Sequence, residues 1–194
     1  MERTNRSLRF RIPDDWASYN GNNHYIGLNF LGFTLHNILQ GVDNPKMLEI
    51  GTYKGEGAHI FASLGIFSEI HTIDPWEGEE RALIDFNETW SDVKKEYWTN
   101  TRQFRDIIHH HKDYSYNLVD KFADDYFDFI YIDANHTYES VSRDIIDWLP
   151  KTKLAIGGHD YQGEWPGVVE AVNDQLGVPD QQFQDTSWLF RIKN

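Results

Sequence analysis

The sequence predicts a three-layer α/β domain built on a seven-stranded, mostly parallel sheet. Short apolar runs typical of buried strands alternate with segments whose apolar residues recur at helical spacing. This alternation favours a parallel sheet with helices on both faces. The end of the chain differs, because residues 182–192 hold two short strands close together. They predict a terminal antiparallel hairpin added to the parallel core.

The core elements begin at Lys46, after an N-terminal segment that we predict to be irregular over residues 1–27 and helical over residues 28–40. The predicted core strands are 46–50, 69–74, 114–118, 127–133 and 153–157. The predicted core helices lie near 55–64, 79–99, 101–108, 137–148 and 166–176. The run His109–His110–His111 is interpreted as a polar helix end, because consecutive side chains point in different directions and rarely bind one ion.

Composition bounds the class of protein. The 194 residues fit one domain, with residues 1–45 as a segment for substrate selection or subunit contacts and 46–194 as the core. A net charge of −13 argues against a nucleic-acid partner, since phosphate binding needs clustered lysines and arginines. The absence of cysteine excludes disulfides, thiol catalysis and cysteine zinc sites. With no apolar run near the roughly 20 residues of a membrane span and no secretory signal, we expect a cytoplasmic protein without a membrane partner.

The most informative run covers residues 47–57, where an apolar strand passes directly into a glycine-rich turn containing Gly51 and Gly55. Such a turn lets the backbone approach a ligand closely. Glu49 stands out, because a carboxylate inside a buried strand is costly unless something binds it. The next predicted strand ends in another acid, Asp74. In a parallel sheet both acids reach the crevice at the carboxyl ends of the strands.

This pair of strand ends resembles the cofactor site of class I S-adenosylmethionine-dependent methyltransferases. The resemblance implies a Rossmann-like fold and S-adenosylmethionine as cofactor, with the glycine turn behind the methionine part and Asp74 accepting from the ribose hydroxyls. Trp76 either stacks on adenine or covers the core. From topology alone, Tyr114 and Ser115 near the predicted third strand are expected to be neighbours of adenine. The predicted cofactor-binding residues are Glu49, Gly51, Thr52, Tyr53, Gly55, Asp74, Trp76, Ser115 and Asp133.

Two other interpretations of the glycine turn stay open. A nicotinamide-binding fold also places an acid about 20 residues past its glycines. That fold needs a G-x-G-x-x-G run, whereas this chain has Gly51-x-x-x-Gly55-x-Gly57 preceded by Glu49. An acid at that point would repel a pyrophosphate but suits a cationic sulfonium cofactor that bears an ammonium group. The remaining interpretation is a structural turn beside a surface acid.

Two further strand ends carry polar groups that should converge. Asp133 and His136 follow the strand at 127–133, and His159 and Asp160 follow the strand at 153–157. Carboxylate oxygens hold hard divalent cations together with waters and substrate oxygens. A bound cation lowers the pKa of a substrate hydroxyl, and a nearby histidine can take the proton.

The arrangement is similar to that of metal-dependent O-methyltransferases acting on macrolide sugars and related natural products. The resemblance implies that Asp133 and Asp160 bind a divalent metal, Mg²⁺ or Mn²⁺, that His136 is the general base, and that Asp133 also belongs to the catalytic residues. Many relatives have an acid, or an Asp-Asn pair, where this chain has His159-Asp160. Because imidazole suits transition metals better than magnesium, His159 is a metal ligand that favours manganese or iron, or a neighbour of the ligands, or a sign that no metal binds.

Each of these residues also has a plain structural interpretation. Asp133 can cap the helix that follows, His136 can be a solvated loop residue, and Asp160 can be a turn residue. Acceptor selection is expected from aromatic residues of the N-terminal segment and of the strand-to-helix loops, since aromatic faces suit a sugar or planar ring. These residues are Trp16, Tyr19, Tyr25, Trp76, Trp90, Tyr97, Trp98, Tyr161 and Trp165.

The sequence as a whole predicts an enzyme that transfers a methyl group from S-adenosylmethionine to an oxygen of a small-molecule acceptor. One alternative is a protein that binds S-adenosylmethionine without turnover, or a scaffold subunit of a larger enzyme. An NAD-dependent oxidoreductase is the other. Part of the aromatic surface can instead be a subunit interface, so a homo-oligomer is possible.

Overall fold

A computed structural model describes residues 21–77, 83 and 88–192, with side chains from residue 25 onward. Seven strands form one sheet in the order β3-β2-β1-β4-β5-β7-β6. They are β1 Lys46–Ile50, β2 Glu69–Ile73, β3 Ile108–His111, β4 Phe127–Ile132, β5 Thr152–Gly158, β6 Gln181–Gln182 and β7 Trp188–Arg191. The first five are parallel, β7 is antiparallel to β5, and β6 is antiparallel to β7. The predicted seven-stranded sheet with a terminal hairpin is confirmed.

Helices cover both faces of the sheet, as three layers require. The described α-helices are α1 Gly21–Ile38, α2 Glu56–Ser63, α3 Trp90–Thr101, α4 Tyr138–Trp148 and α5 Pro166–Gln175. The apolar stripes of α1, α2 and α3 form one core with the first face of the sheet. Those of α4 and α5 form a second core with the opposite face. The chain reverses direction across the sheet between β1 and β4, and ligands of such sheets bind at that reversal.

Local sequence explains where the helices after the central strands begin. Thr89 and Asp92 form a reciprocal capping box at the start of α3. The Thr137 hydroxyl accepts from the backbone N–H of Ser140 and caps α4. Pro166 opens α5, where its missing N–H costs nothing. The strands are equally well marked, since all six residues of β4 are buried.

The third strand corrects the sequence-based prediction. Strand β3 is Ile108–His111, whereas residues 114–118 were expected to form it, and Ser115–Asn117 is a 3₁₀ turn. The histidine run is therefore part of an edge strand and not a helix end. Its side chains alternate: His111 stacks on His71 on one face and His110 stacks on Trp76 on the other. Because this edge strand is mostly polar, the sequence contains no apolar run that would predict it.

Helix boundaries differ in three places. Helix α1 begins at Gly21, where an irregular segment was expected. Its pattern is broken at Gly27, which lies against the terminal hairpin and leaves no room for a side chain. The helix expected near 101–108 is only a 3₁₀ turn at Arg102–Phe104. The helix expected near 79–99 is observed as α3, and residues 78–82 and 84–87 lie outside the described part of the chain.

Among the described residues, no helix is both long enough and apolar enough to cross a membrane.

Candidate active site

The glycine turn joins β1 to α2 in a conformation that needs glycine. Gly51 has φ +86°, and a Cβ there would lie 2.0 Å from the carbonyl oxygen of Asp133. Gly55, at φ +77°, precedes α2, and a Cβ there would lie 2.8 Å from the ring of Tyr97. Both positions are closed to other residues by backbone angle and by space. The turn therefore lies directly against the segment that follows β4.

Glu49 is a buried acid at the base of this turn. Glu49 is 2 % exposed, and its Oε2 accepts a hydrogen bond from the Thr52 hydroxyl at 2.5 Å. A Cβ on Gly57 would lie 2.1 Å from Oε1, so the third glycine makes room for the carboxylate. Burial raises the pKa of Glu49 to about 8, although the Thr52 hydrogen bond lowers it. A cation bound next to Glu49 would therefore stabilise the ionised form of its carboxylate.

Asp74 fastens the glycine turn to the end of β2. One carboxylate oxygen accepts from the backbone N–H of Tyr53 at 2.8 Å, and the other accepts from that of Trp76 at 2.8 Å. Burial raises the pKa of Asp74, and these two hydrogen bonds oppose the rise. Each carboxylate oxygen has a second lone pair, so hydroxyl groups of a ligand can still be accepted.

Trp76 and Ser115 are placed differently from a simple adenine clamp. Trp76 is 4 % exposed, its indole stacks on His110 with 4.0 Å between ring centroids, and its Nε1–H is donated to the Tyr53 carbonyl. In this conformation the indole belongs to the core. Ser115 lies after β3, and its hydroxyl is donated to Asp144 of α4 at 2.5 Å. Contacts of both residues with adenine stay predictions.

The second half of the site consists of four side chains after β4 and β5, which the structure brings together as predicted. His136 Nε2 lies 2.8 Å from Asp160 Oδ2. His159 Nδ1 lies 3.3 Å from Asp160 Oδ1 and 4.0 Å from Asp133 Oδ1. Asp160 itself adopts φ +59°, which turns its carboxylate between the two histidines.

Backbone hydrogen bonds connect the two halves of the site to each other and to the ends of the strands. The N–H of Gly51 is donated to Ile73 O at 2.9 Å, that of Asp133 to Ile50 O at 2.8 Å, and that of His159 to Ile132 O at 3.1 Å. Each bond lies one residue beyond a pair of neighbouring strands. The ladder between β2, β1, β4 and β5 therefore continues into the site and fixes its residues relative to the sheet.

The charged groups of the second half shift one another's pKa values. Burial would lower the pKa of His159, but the carboxylates around it raise the pKa to about 9. Burial raises the pKa of Asp133, and His159 opposes that rise. The pKa of Asp160 is held well below its ordinary range by hydrogen bonds to both histidines, against the effect of burial.

The plain structural interpretations explain less of this arrangement. Helix α4 is capped by Thr137, whose N–H is in turn donated to Asn135, so Asp133 is not the cap. His136 is paired with Asp160 and packs its ring against Trp165 with 4.3 Å between centroids. Asp160 does occupy a turn, yet its carboxylate also contacts both histidines.

Asp133, His159 and Asp160 are suited to a divalent cation. One ligand atom from each lies within 4.8 Å of the others, and all three residues are partly accessible. Two carboxylates and one imidazole form a donor set that transition metals accept and that leaves positions for water or substrate. Sequence reasoning missed one neighbour, Asp185 in the β6–β7 turn, whose Oδ2 lies 3.9 Å from His159 Nε2. A lone acid in a polar turn gives no local signal of that contact.

The aromatic residues expected on the acceptor side differ in their exposure, and Trp76, described above, is buried. Tyr97 is fully buried, with its hydroxyl 2.8 Å from that of Thr72, so its assignment to the acceptor surface is wrong. Trp98 and Trp165 are exposed by 50 % and 41 %. Partly buried positions are found at Tyr25, Trp90 and Tyr161. Trp16 and Tyr19 lie outside the described residues.

Comparison with known proteins identifies the family and the fold. A family profile described as a methyltransferase domain matches residues 48–161, which include every predicted site residue. No curated protein matches the sequence. Solved structures share the fold at low identity. A TDP-rhamnose 3′-O-methyltransferase of calicheamicin biosynthesis has a TM-score of 0.56 at 12 % identity, over 85 % of this chain and 79 % of that one.

Two further solved structures show the same fold. An O-methyltransferase from Bacillus cereus in complex with SAH has a TM-score of 0.54 at 16 % identity, over 84 % of this chain and 81 % of that one. A caffeoyl-CoA O-methyltransferase from Staphylococcus aureus, described as putative, has a TM-score of 0.54 at 14 % identity, over 85 % and 83 %. With the family profile and the site geometry together, the chain belongs to the class I S-adenosylmethionine-dependent methyltransferases.

Proposed function

We propose that this methyltransferase acts on a hydroxyl oxygen of a small molecule, such as a sugar or natural product, with the help of a divalent metal. The observation that carries the proposal is the convergence of Asp133, His136, His159 and Asp160 beside the glycine turn. Acid and imidazole groups next to a methyl donor are what deprotonation of a hydroxyl requires. The O-methyltransferases among its structural neighbours agree with this chemistry.

Residues of the glycine turn and Glu49 would bind the cofactor. Glu49 places a buried carboxylate where the cationic methionine part of S-adenosylmethionine is expected, and ionisation of Glu49 offsets the charge of that part. Asp74, at the end of the neighbouring strand, offers acceptor lone pairs for the ribose hydroxyls. The glycines allow the backbone to approach the ligand, since no side chain stands in between.

Asp133, His159 and Asp160 would hold the metal, which when bound supplies positive charge that lowers the pKa of the acceptor hydroxyl and orients it. His136 would act as base. When its Nε2–H is donated to Asp160, Nδ1 carries the lone pair that accepts a proton. Bound S-adenosylmethionine would supply the methyl group and keep the electron pair of the carbon–sulfur bond on its sulfur. His136 would take the proton of the acceptor hydroxyl, whose oxygen bonds to the methyl carbon.

Trp165 would support the acceptor. Its indole is 41 % exposed and packs against the His136 ring, so an aromatic or sugar ring bound on the indole lies next to the base. The protein's contribution is mainly positional, because the cofactor itself is the electrophile. A cytoplasmic location, a homo-oligomeric state and a role of the N-terminal segment in acceptor selection stay predictions.

Calorimetry and a methyl-transfer assay test the proposal in two stages. Titration with S-adenosylmethionine should show binding, and a panel of glycosylated and phenolic acceptors should reveal turnover that stops when EDTA is added. No binding of S-adenosylmethionine would overturn the catalytic function. Turnover that ignores both EDTA and the Asp160→Asn change would overturn the metal mechanism alone. Protection by NAD in thermal unfolding would instead support the oxidoreductase alternative.

A further inference from the structure

The imidazole of His159 lies between carboxylates on both of its sides. Its Nδ1 faces Asp133 and Asp160, the two acids suited to a cation, at 4.0 and 3.3 Å. Its Nε2 faces the Asp185 carboxylate at 3.9 Å. The two ring nitrogens therefore have different neighbours. One is directed at the candidate metal position and the other at a buried acid of the terminal hairpin.

Asp185 is held too firmly to be an incidental neighbour. Its side chain is 1 % exposed. One oxygen accepts from the backbone N–H of Ser187 at 3.1 Å and the other from the Ser187 hydroxyl at 2.9 Å. That hydroxyl lies 3.0 Å from the hydroxyl of Tyr131 on β4. The chain of contacts thus runs from the central strand to the carboxylate.

Helix α1 closes the other side of this acid. A Cβ on Gly27 would lie 1.9 Å from Asp185 Oδ1, so any larger residue there would push the carboxylate away. Between the acid and Ser187, Thr186 adopts φ +73°, a conformation that is unfavourable for a β-branched residue. A glycine in a helix and a strained threonine in a turn each cost stability. Both residues lie directly beside this carboxylate.

We propose that Asp185 is a positioning residue that keeps the proton of His159 on Nε2 and so presents Nδ1 as the metal-binding nitrogen. Histidines that bind metals usually donate the other ring N–H to a carboxylate or carbonyl, which fixes the tautomer and the ring orientation. The His159 Nε2–Asp185 Oδ2 distance of 3.9 Å is longer than a hydrogen bond, and a ring movement of about 1 Å makes the contact a hydrogen bond. The inference rests on the proposed metal-assisted function.

This role gives a reason for an imidazole at position 159. An imidazole binds a metal through one ring nitrogen and needs a hydrogen-bond acceptor at the other nitrogen to fix its tautomer. A carboxylate at the same position would need no such partner. With Asp185 behind it, His159 becomes an oriented ligand, and the donor set shifts away from Mg²⁺ towards transition metals, which accept imidazole more readily. The specificity for the metal would then be set partly by the terminal hairpin.

Calorimetry with Mn²⁺ on the full chain tests the role of Asp185. Asp185→Asn keeps the shape of the side chain and removes its charge, and we expect it to weaken Mn²⁺ binding about 10–100-fold while leaving S-adenosylmethionine affinity unchanged. The matched control is Asp147→Asn, a carboxylate of α4 that is paired with Arg143 and should leave Mn²⁺ affinity unaltered. Equal Mn²⁺ affinity in Asp185→Asn and wild type would overturn the inference. If the wild type binds no Mn²⁺, the metal part of the proposed function fails and this inference falls with it.

A second measurement needs no change at Asp185. Nitrogen-15 NMR of the wild-type imidazoles in the presence of Zn²⁺, a diamagnetic probe, reports which nitrogen of His159 keeps its proton, with His159→Gln used to assign the signal. We expect the proton on Nε2. A proton on Nδ1 would overturn the inference even if Asp185→Asn failed to fold.

Discussion

Replacing Glu49 with glutamine keeps the shape of a buried side chain and removes its ability to ionise. Burial raises the pKa of Glu49 from an ordinary 4.5 to about 8 in the protein without ligand, although the Thr52 hydrogen bond lowers it. A rise of that size corresponds to roughly 5 kcal/mol favouring the neutral acid in the folded state. Ionisation of Glu49 is therefore unfavourable in the protein alone, and a cationic ligand can make it favourable.

The sign of the effect on stability follows from proton counts. Between pH 4.5 and about 8 the unfolded chain carries this carboxylate ionised while the folded protein keeps it protonated. The folded state binds more protons, so its contribution to the free energy of unfolding falls as the pH rises. Glu49→Gln lacks this loss. We expect the stability of the variant relative to wild type to grow by up to roughly 5 kcal/mol across that interval, measured by urea unfolding.

The affinity of the wild-type protein for S-adenosylmethionine should rise with pH, whereas its stability falls. The ammonium of S-adenosylmethionine favours the ionised acid, so wild-type affinity should rise nearly tenfold per pH unit between about pH 6 and 7.5, where that amine stays charged. Calorimetry in the presence of EDTA measures this without metal. Glu49→Gln should bind more weakly at the upper end and show no such slope. Equal slopes in the two proteins would refute the assignment of Glu49 to the cationic part of the cofactor. A stability difference that does not change with pH would refute the raised pKa of Glu49.

Other changes test the rest of the site. His136→Ala should keep S-adenosylmethionine affinity and lose about 100- to 10,000-fold in turnover, and unchanged turnover in a single-turnover assay would remove it as base. Asn tolerates positive φ, so the fold should persist in Asp160→Asn. Added Mn²⁺ should no longer increase the turnover of this variant, because a metal ligand has been removed. Gly51→Ala should cost more than about 3 kcal/mol in urea unfolding, since its Cβ would meet the Asp133 carbonyl. Gly65→Ala, at φ +65° with no atom within 4 Å, is the control and should cost only about 1 kcal/mol.

The central strands were predictable because both of their faces are buried. Strands β1 and β4 read as apolar runs, and their ends follow from the residues after them. Strand β3 could not be found in this way. Among the described strands it lies at the edge of the sheet beside β2. It consists mostly of histidines, whose burial depends on partners such as His71 and Trp76. Partners of that kind are set by the tertiary fold and leave no local periodicity.

Much of the candidate site was predictable for a related reason. Parallel strands bring their carboxyl ends to one edge, so acids and histidines after β1, β2, β4 and β5 had to share one crevice. Asp185 belongs to the antiparallel hairpin, and its approach to His159 depends on how that hairpin packs against Gly27. The inward position of Trp76 likewise depends on His110, which the sequence did not place in a strand.

The backbone bonds that tie Gly51, Asp133 and His159 into one ladder make the two half-sites parts of a single mechanical unit. Amides of these three residues should exchange with solvent deuterium together, since opening one rung exposes the next. We expect binding at either half to order both. Any gain in metal affinity that S-adenosylmethionine produces must be matched by an equal gain in S-adenosylmethionine affinity when the metal is present. The order in which the two ligands arrive therefore cannot change the final stability of the complex, only the path to it.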